Sequence, residues 1–391
     1  MLGVIRRLGE PPEGLPSDLS ATSRQSSRRF GGSTWSALRA AFWPWLLAHI
    51  LVGLVLWWVH LTPGGLRHTG DVRPASGLFA WDSGWYRAIA EHGYDHLPEQ
   101  AVRFFPLLPM TVRGLTTVTS IPSDVLLLLV SSGFGLAYGA LLFSLVRRET
   151  GDTGAAHRTV WLAQLVPGAN VLVLGYTEAL AGFLAVAVFW WARSGRWGAV
   201  GPIGLLSGLA RPTGLLLALP VAVEVFRRRP VSRALPLAVA AVLSPLVGTG
   251  AYLLWCGWRY GDALLPYSIQ TRSGMRGGIT VNTLPYLVKT SSHGPPWPLV
   301  MLMLSATAVL LWICVRRLPW AYCVWTIFGV AAAVTATGFH SLPRYLAGMF
   351  PLLIAAGLVL KSRRSWLLVL GACILLYIYL SFMTFTRYYI P

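Results

Sequence analysis

Phe79-Ala80-Trp81-Asp82-Ser83-Gly84-Trp85-Tyr86-Arg87-Ala88-Ile89-Ala90-Glu91-His92-Gly93-Tyr94 leads to Arg103-Phe104-Phe105-Pro106-Leu107-Leu108-Pro109. It sets one carboxylate, Asp82, between Trp81 and the Trp85-Tyr86 pair, just after the first long apolar run. Trp and Tyr concentrate where a bilayer meets water, so the segment reads as lying at a membrane surface with Asp82 poised there as an acid. The alternative is an interface belt of Trp81, Trp85 and Tyr86 in which Asp82 only caps the following helix, a place Asp favours.

The composition supports the membrane setting. Of 391 residues, 55% are hydrophobic and only 12% charged, about half the charged share of a soluble domain. The net charge of +18 lies in short Lys/Arg clusters between apolar runs. That is the pattern of the positive-inside bias, and it calls for no nucleic acid. Cys256, Cys314, Cys323 and Cys373 are scattered through apolar stretches without metal-ligand or disulfide spacing, and read as small buried hydrophobes.

Outward from the aromatic segment, the chain reads as an all-α polytopic membrane protein. Residues 1–36 are polar, rich in Ser, Pro and Arg, and lack an apolar core. They read as a disordered cytoplasmic tail, with residues 37–391 a single membrane domain. A first span over about Leu38–Leu61 is long enough for a ~30 Å hydrocarbon core. Residues 62–122 then form the first external loop. Within it Trp85–His92 is an amphipathic helix, and Phe104–Thr119, broken by Pro106 and Pro109, lies in the outer interface. The remaining runs, including Asp124–Val146, Thr159–Leu174, Glu178–Trp191, Tyr345–Leu360 and Trp366–Phe385, bring the total to about eleven membrane segments with every tight basic cluster on the cytoplasmic side. Residues 257–296 form a second external loop, expected to contact substrate. No internal repeat of the transporter kind is evident.

That topology gathers Asp82, Glu178, Arg211, His340 and Arg344 on the external side. Arg211 and Arg344 stand at helix breaks, beside Pro212 and Pro343. A guanidinium there is costly unless it meets water, a carboxylate or an anionic ligand. The two make a plausible phosphate clamp, because guanidinium binds phosphate oxygens bidentately; the alternative is snorkelling to headgroups. No P-loop, dinucleotide fingerprint, nucleophile elbow, His/Cys metal cluster or DxD pair occurs, so no nucleotide or metal cofactor is implied.

Trp81-Asp82 with Glu91-His92-Gly93-Tyr94 and Phe104-Phe105-Pro106, Tyr176-Thr177-Glu178-Ala179-Leu180, the Arg211-x-x-Gly214 tip and Arg344-Tyr345 together resemble the PIG-V family of polyprenyl-phosphate-sugar-dependent mannosyltransferases. The resemblance implies a GT-C-type bundle with juxtamembrane helices in its first external loop. It also implies an inverting transfer, without a metal, of mannose from a polyprenyl-phosphate carrier to an extracytoplasmic acceptor: a lipid-linked glycan, a wall polymer or a protein. Carried over, Asp82 is the general base, and Glu178, Arg211 and Arg344 line the site; with the clamp reading above, Arg211, Arg344 and His340 are expected to hold the donor phosphate. Trp81, Trp85, Tyr86, Glu91, His92, Tyr176, Glu178 and Tyr345 line the substrate site. The small size and the absence of an ER-retention signal suggest a plasma-membrane enzyme. A multi-pass transporter, or a lipid-binding scaffold in which Asp82 is only structural, are the rival classes.

Overall fold

The chain's long apolar runs, cut by Pro and Gly, become helices of two lengths. The computed structural model describes residues 22–62, 76–272, 296–334, 339 and 341–386, with the backbone alone at 22–33, 271 and 272. Every regular element among them is helical. Among the described residues, five helices are long and apolar enough to cross a membrane: α1 (Thr22–Leu61), α4 (Ser123–Thr150), α9 (Leu235–Tyr260), α11 (Trp297–Arg317) and α15 (Arg363–Phe385). Four more are apolar but shorter: α6 (Glu178–Ala192), α7 (Trp197–Ala210), α12 (Trp320–Val334) and α14 (Phe350–Val359). The long helices expose Trp57, Trp58, Leu254, Trp258, Leu368 and Leu375, side chains that suit lipid contact and not water.

The shorter elements arise where proline and glycine interrupt apolar runs. The run expected to continue from Thr159 to Leu174 stops as helix α5 (Thr153–Leu165). Pro167 disfavours helical backbone at the residue before it, and Gly168 takes φ +88°. A short 3₁₀ turn, Ala169–Leu172, follows. The Tyr345–Leu360 run likewise divides into α13 (Leu342–Ala347) and α14, each with a proline in its first turn, where proline fits best. After Arg211, Pro212–Leu217 is a 3₁₀ helix before α8 (Ala218–Arg228). The first helix begins at Thr22, inside the segment expected as a tail.

Small residues let the broken elements approach closely. Gly204 and Gly208 of α7 sit against Ser244 and Pro245 of α9, and Gly248 of α9 meets the Leu205 backbone, with no room for a Cβ at any of the three. This is the close packing that small residues four apart allow between membrane helices. Thr249 Oγ1 adds a hydrogen bond to the Gly208 carbonyl (3.1 Å). At the other end of these helices, Arg193 bridges Glu149 (2.7 Å) and the buried Glu224 (3.0 Å), and so ties the ends of α4, α6 and α8. The two ends of the bundle thus have different polar chemistry. One is this arginine-rich clasp; the other carries Asp82, Glu178, Arg211 and Arg344.

Candidate active site

Helix α2 (Asp82–His92) starts on a strained residue. Trp81 takes φ +57°, a conformation a bulky side chain adopts only when its surroundings enforce it. Those surroundings are visible. The Trp81 indole N–H donates to the Thr384 carbonyl (3.1 Å). The Tyr176 hydroxyl accepts from the Asp82 N–H (3.2 Å) and donates to the Ala80 carbonyl (3.4 Å), so it grips the turn on both sides. Ser83 Oγ donates to the Leu78 carbonyl. Because Trp81 occupies the cap position, Asp82 does not cap α2, and its carboxylate is turned elsewhere.

It meets Arg344. Nη1 of Arg344 lies 2.6 Å from Asp82 Oδ2, and its Nε lies 3.0 Å from Glu178 Oε1. The same Glu178 oxygen accepts from Arg211 Nη1 at 3.0 Å. Asp82, Arg344, Glu178 and Arg211 therefore alternate in sign along one connected row. Glu178 and Arg344 are buried, while the Asp82 side chain keeps 28% of its surface exposed. Buried charges require such partners, since an unpaired one would cost several kcal/mol. The Tyr345 ring packs against both guanidinium groups, each 5.4 Å from its centre, and Tyr176 packs against that of Arg344. Aromatic faces attract such cations.

Backbone geometry places each member. Glu178 begins α6, and a carboxylate is favoured at a helix N-terminus. Arg211 sits at the extended break between α7 and the following 3₁₀ helix. Arg344 is carried by α13, whose Pro343–Arg344 backbone lies directly on Gly168, where no Cβ fits. Phe339, shortly before α13, is another non-glycine residue with positive φ.

One cavity opens on the row, and a second lies beyond α13. A polar one of about 60 Å³ is lined by Glu178, Arg211, Arg344 and Tyr345, together with Tyr138 and Trp325. An apolar one of about 330 Å³ runs between α5, α11, α14 and α15, past Leu162, Leu302, Leu310, Leu353 and Leu376. Ala347, in the helix that carries Arg344, lines both.

Of the residues expected from sequence, Asp82, Tyr176, Glu178, Arg211, Arg344 and Tyr345 come together here, with Trp81 and Tyr86 alongside. Tyr86 is buried between Phe104 and Tyr176. Trp85 stacks on Phe104 in the hydrophobic cluster under α2. Glu91 and His92 stand apart at the far end of α2, about 14 Å along the helix from Asp82. There Glu91 pairs with Arg87 at 2.7 Å, and Arg113 binds the Glu91 carbonyl at 2.8 Å. His340 lies outside the described residues. Tyr138 and Trp325 were not expected, because an aromatic residue within an apolar run carries no signal that separates a pocket wall from core or lipid-facing surface.

A family model described as mannosyltransferase (PIG-V) matches residues 72–226, which hold Asp82, Tyr176, Glu178 and Arg211. The resemblance drawn from the motifs is borne out over that segment. A search of curated proteins found no match. Among solved structures the chain is similar to the Archaeoglobus fulgidus oligosaccharyltransferase tethered with an acceptor peptide (15% identity, TM-score 0.47, 89% of this chain and 56% of that one). It is similar also to AglB of that organism in complex with an inhibitory peptide and a dolichol-phosphate (15% identity, TM-score 0.46, 89% and 56%). The chain spans little more than half the length of these structures.

Proposed function

We propose that the protein is a glycosyltransferase that moves mannose from a polyprenyl-phosphate carrier to an acceptor hydroxyl at the extracytoplasmic face of the plasma membrane, within a GT-C-type bundle that has α2 and α3 (Leu107–Val118) as juxtamembrane helices. The observation that carries the reading is a connected row in which the partly exposed Asp82 pairs with Arg344, and Arg344 shares Glu178 with Arg211, near an apolar cavity. A sugar lipid presents those features in the same order: a hydroxyl to be deprotonated nearby, a phosphate, and a hydrocarbon tail.

Chemically, the acceptor oxygen forms a bond to C1 of the sugar while the C1–O bond to phosphate breaks and the electron pair leaves with the phosphate. Attack from the opposite face inverts C1. Asp82 takes the acceptor proton as general base, a role worth ~10²–10⁴-fold. Arg211 and Arg344 stabilise the charge that grows on the leaving phosphate, in a site where burial strengthens the interaction. Arg211 Nε is buried without a hydrogen-bond partner, a donor with capacity for a ligand oxygen. Arg344 now holds both acids; a phosphate bound between the arginines competes for its guanidinium and releases Asp82 Oδ2 to accept a proton. The 330 Å³ apolar cavity, which shares Ala347 with the polar one, receives the phosphate-proximal part of the prenyl tail.

The test is transfer by the purified protein from polyprenyl-phosphate-mannose to a crude lipid and glycan extract, with EDTA present and GDP-mannose as the comparison donor. Labelled product from the lipid donor alone supports the reading. Product from GDP-mannose, or a requirement for divalent cations, contradicts it.

A further inference from the structure

Four buried polar atoms have no hydrogen-bond partner on residues that line one cavity: Glu178 Oε2, Arg211 Nε, Tyr138 Oη and Trp325 Nε1. Buried polar groups are almost always satisfied, and each exception calls for an explanation such as a missing ligand. Four on the wall of a single cavity form a set. Tyr138, Trp325 and Glu178 are 3%, 5% and 7% exposed, so bulk water does not serve them.

The cavity's position ties these atoms to the reacting centre. The ring of Tyr138, in α4, lies flat on Gly182, whose Cβ position would be 3.2 Å from two ring carbons. Gly182 is one helical turn beyond Glu178 in α6, on the same face. The ring therefore sits directly along the helix from the carboxylate that both arginines hold. Trp325 enters from α12 on another side, and Tyr345, which packs on both arginines, also lines the cavity.

The chemistry of the set selects the ligand. Arg211 Nε and Trp325 Nε1 only donate, Glu178 Oε2 as carboxylate only accepts, and the Tyr138 hydroxyl does either. A phosphate alone would leave Glu178 repelled and unserved, and a cation would meet three donor-bearing groups. Hydroxyl groups suit all four, because each accepts one hydrogen bond and gives another. The Tyr138, Trp325 and Tyr345 rings also offer apolar faces of the kind that the C–H face of a pyranose covers. A volume of about 60 Å³ exceeds several times the ~10–15 Å³ that one water needs.

We propose that this cavity is a hydroxyl-recognition subsite for the transferred hexose, with Tyr138, Trp325 and the free oxygen of Glu178 reading its hydroxyl groups. The proposal rests on the sugar-lipid reading above and extends it: the arginines hold the phosphate, and the cavity behind them selects the sugar. A site built to bond a substrate hydroxyl rejects an analogue that lacks it, because its own buried groups are then left unpaired.

The test uses the full-length purified protein with polyprenyl-phosphate-mannose and with the same lipid bearing mannose singly deoxygenated in turn at each free hydroxyl. Wild type should lose about tenfold or more in kcat/KM at one or more positions. Tyr138→Phe and Trp325→Phe should each lose activity with mannose and show no further loss with the deoxy donor whose hydroxyl that residue contacts. Gly182→Ala, which presses on the Tyr138 ring without removing a polar atom, should raise KM for the lipid donor more than it lowers kcat. If the variants transfer but discriminate among the deoxy donors as wild type does, the cavity is not the sugar subsite, and its polar atoms serve enclosed water. Lower thermal stability with an unchanged discrimination profile has the same meaning. If wild type transfers no hexose from any lipid phosphate, the sugar-lipid reading fails and this assignment falls with it.

Discussion

Arg344 Nη1 and Asp82 Oδ2 are 2.6 Å apart across 262 residues of chain, and this pair joins the strained start of α2 to the short helix α13. Both partners sit on backbone that is held in place independently: Trp81 at φ +57° on one side, and Pro343–Arg344 pressed onto Gly168 on the other. The site is assembled by tertiary packing, so changes beneath it should be felt in catalysis.

Arg344→Lys tests the double pairing. A lysine ammonium cannot span Asp82 and Glu178 with the fixed fork of a guanidinium, and breaking a buried pair costs about 3–5 kcal/mol. The expected outcome is loss of transfer together with a clear drop in the unfolding temperature. A lysine variant with wild-type stability and rate would show that the two contacts carry little.

Tyr176→Phe removes the hydroxyl that grips the Trp81 turn and leaves the ring against Arg344. A lost hydrogen bond of about 1–1.5 kcal/mol predicts a fall of roughly tenfold. It should appear in kcat with little change in donor KM, because the base is misplaced and the phosphate contacts are intact. Steady-state kinetics with the lipid donor checks it.

Gly168→Ala should lower activity without touching any charged group. The residue takes φ +88° and its Cβ would collide with the Pro343–Arg344 backbone. Positive φ at a non-glycine residue costs about 1–3 kcal/mol, and α13 must also shift. Reduced transfer with intact membrane expression is expected. Full activity would mean that Arg344 tolerates displacement.

Asp152→Ala separates stability from catalysis at the far end of α5. The Asp152 carboxyl is held below its usual range by the hydrogen bond it accepts from the Ala155 N–H, aided by Arg158. Its folded value is depressed, so its contribution is complete above the unfolded value of about 3.9 and is lost as pH falls through the lower folded value. The variant should lose about 1 kcal/mol of stability at pH 7, converge on wild type only as pH falls through that depressed folded value, and transfer at the wild-type rate. Thermal unfolding across pH, with one activity measurement, decides it.

The parts of this architecture that were legible in the chain are those where physics leaves few options. Asp124–Val146 was expected as a span and Ser123–Thr150 is one of the five long helices, because an apolar run of that length has little else to do. Arg211 and Arg344 stood out because a guanidinium in apolar surroundings must find a partner, and each found a carboxylate. Less legible was how Pro167 and Pro351 would divide their runs, because proline marks a break without saying whether the chain resumes its direction. The resemblance groups Glu91 and His92 with Asp82, and all three fall in one helix, α2. Its length carries them to a separate cluster with Arg87 and Arg113. Tyr138 and Trp325 carried no signal at all, since only the folded chain reveals that their polar atoms are unpartnered.

The most direct measurement is transfer of labelled mannose from polyprenyl-phosphate-mannose by purified wild type and Asp82→Asn, side by side in EDTA, with both proteins shown to be equally folded. The account predicts transfer by wild type and a loss of about 10²–10⁴-fold in the variant. An Asp82→Asn protein that transfers at the wild-type rate would contradict it, because the carboxylate would then not be the base.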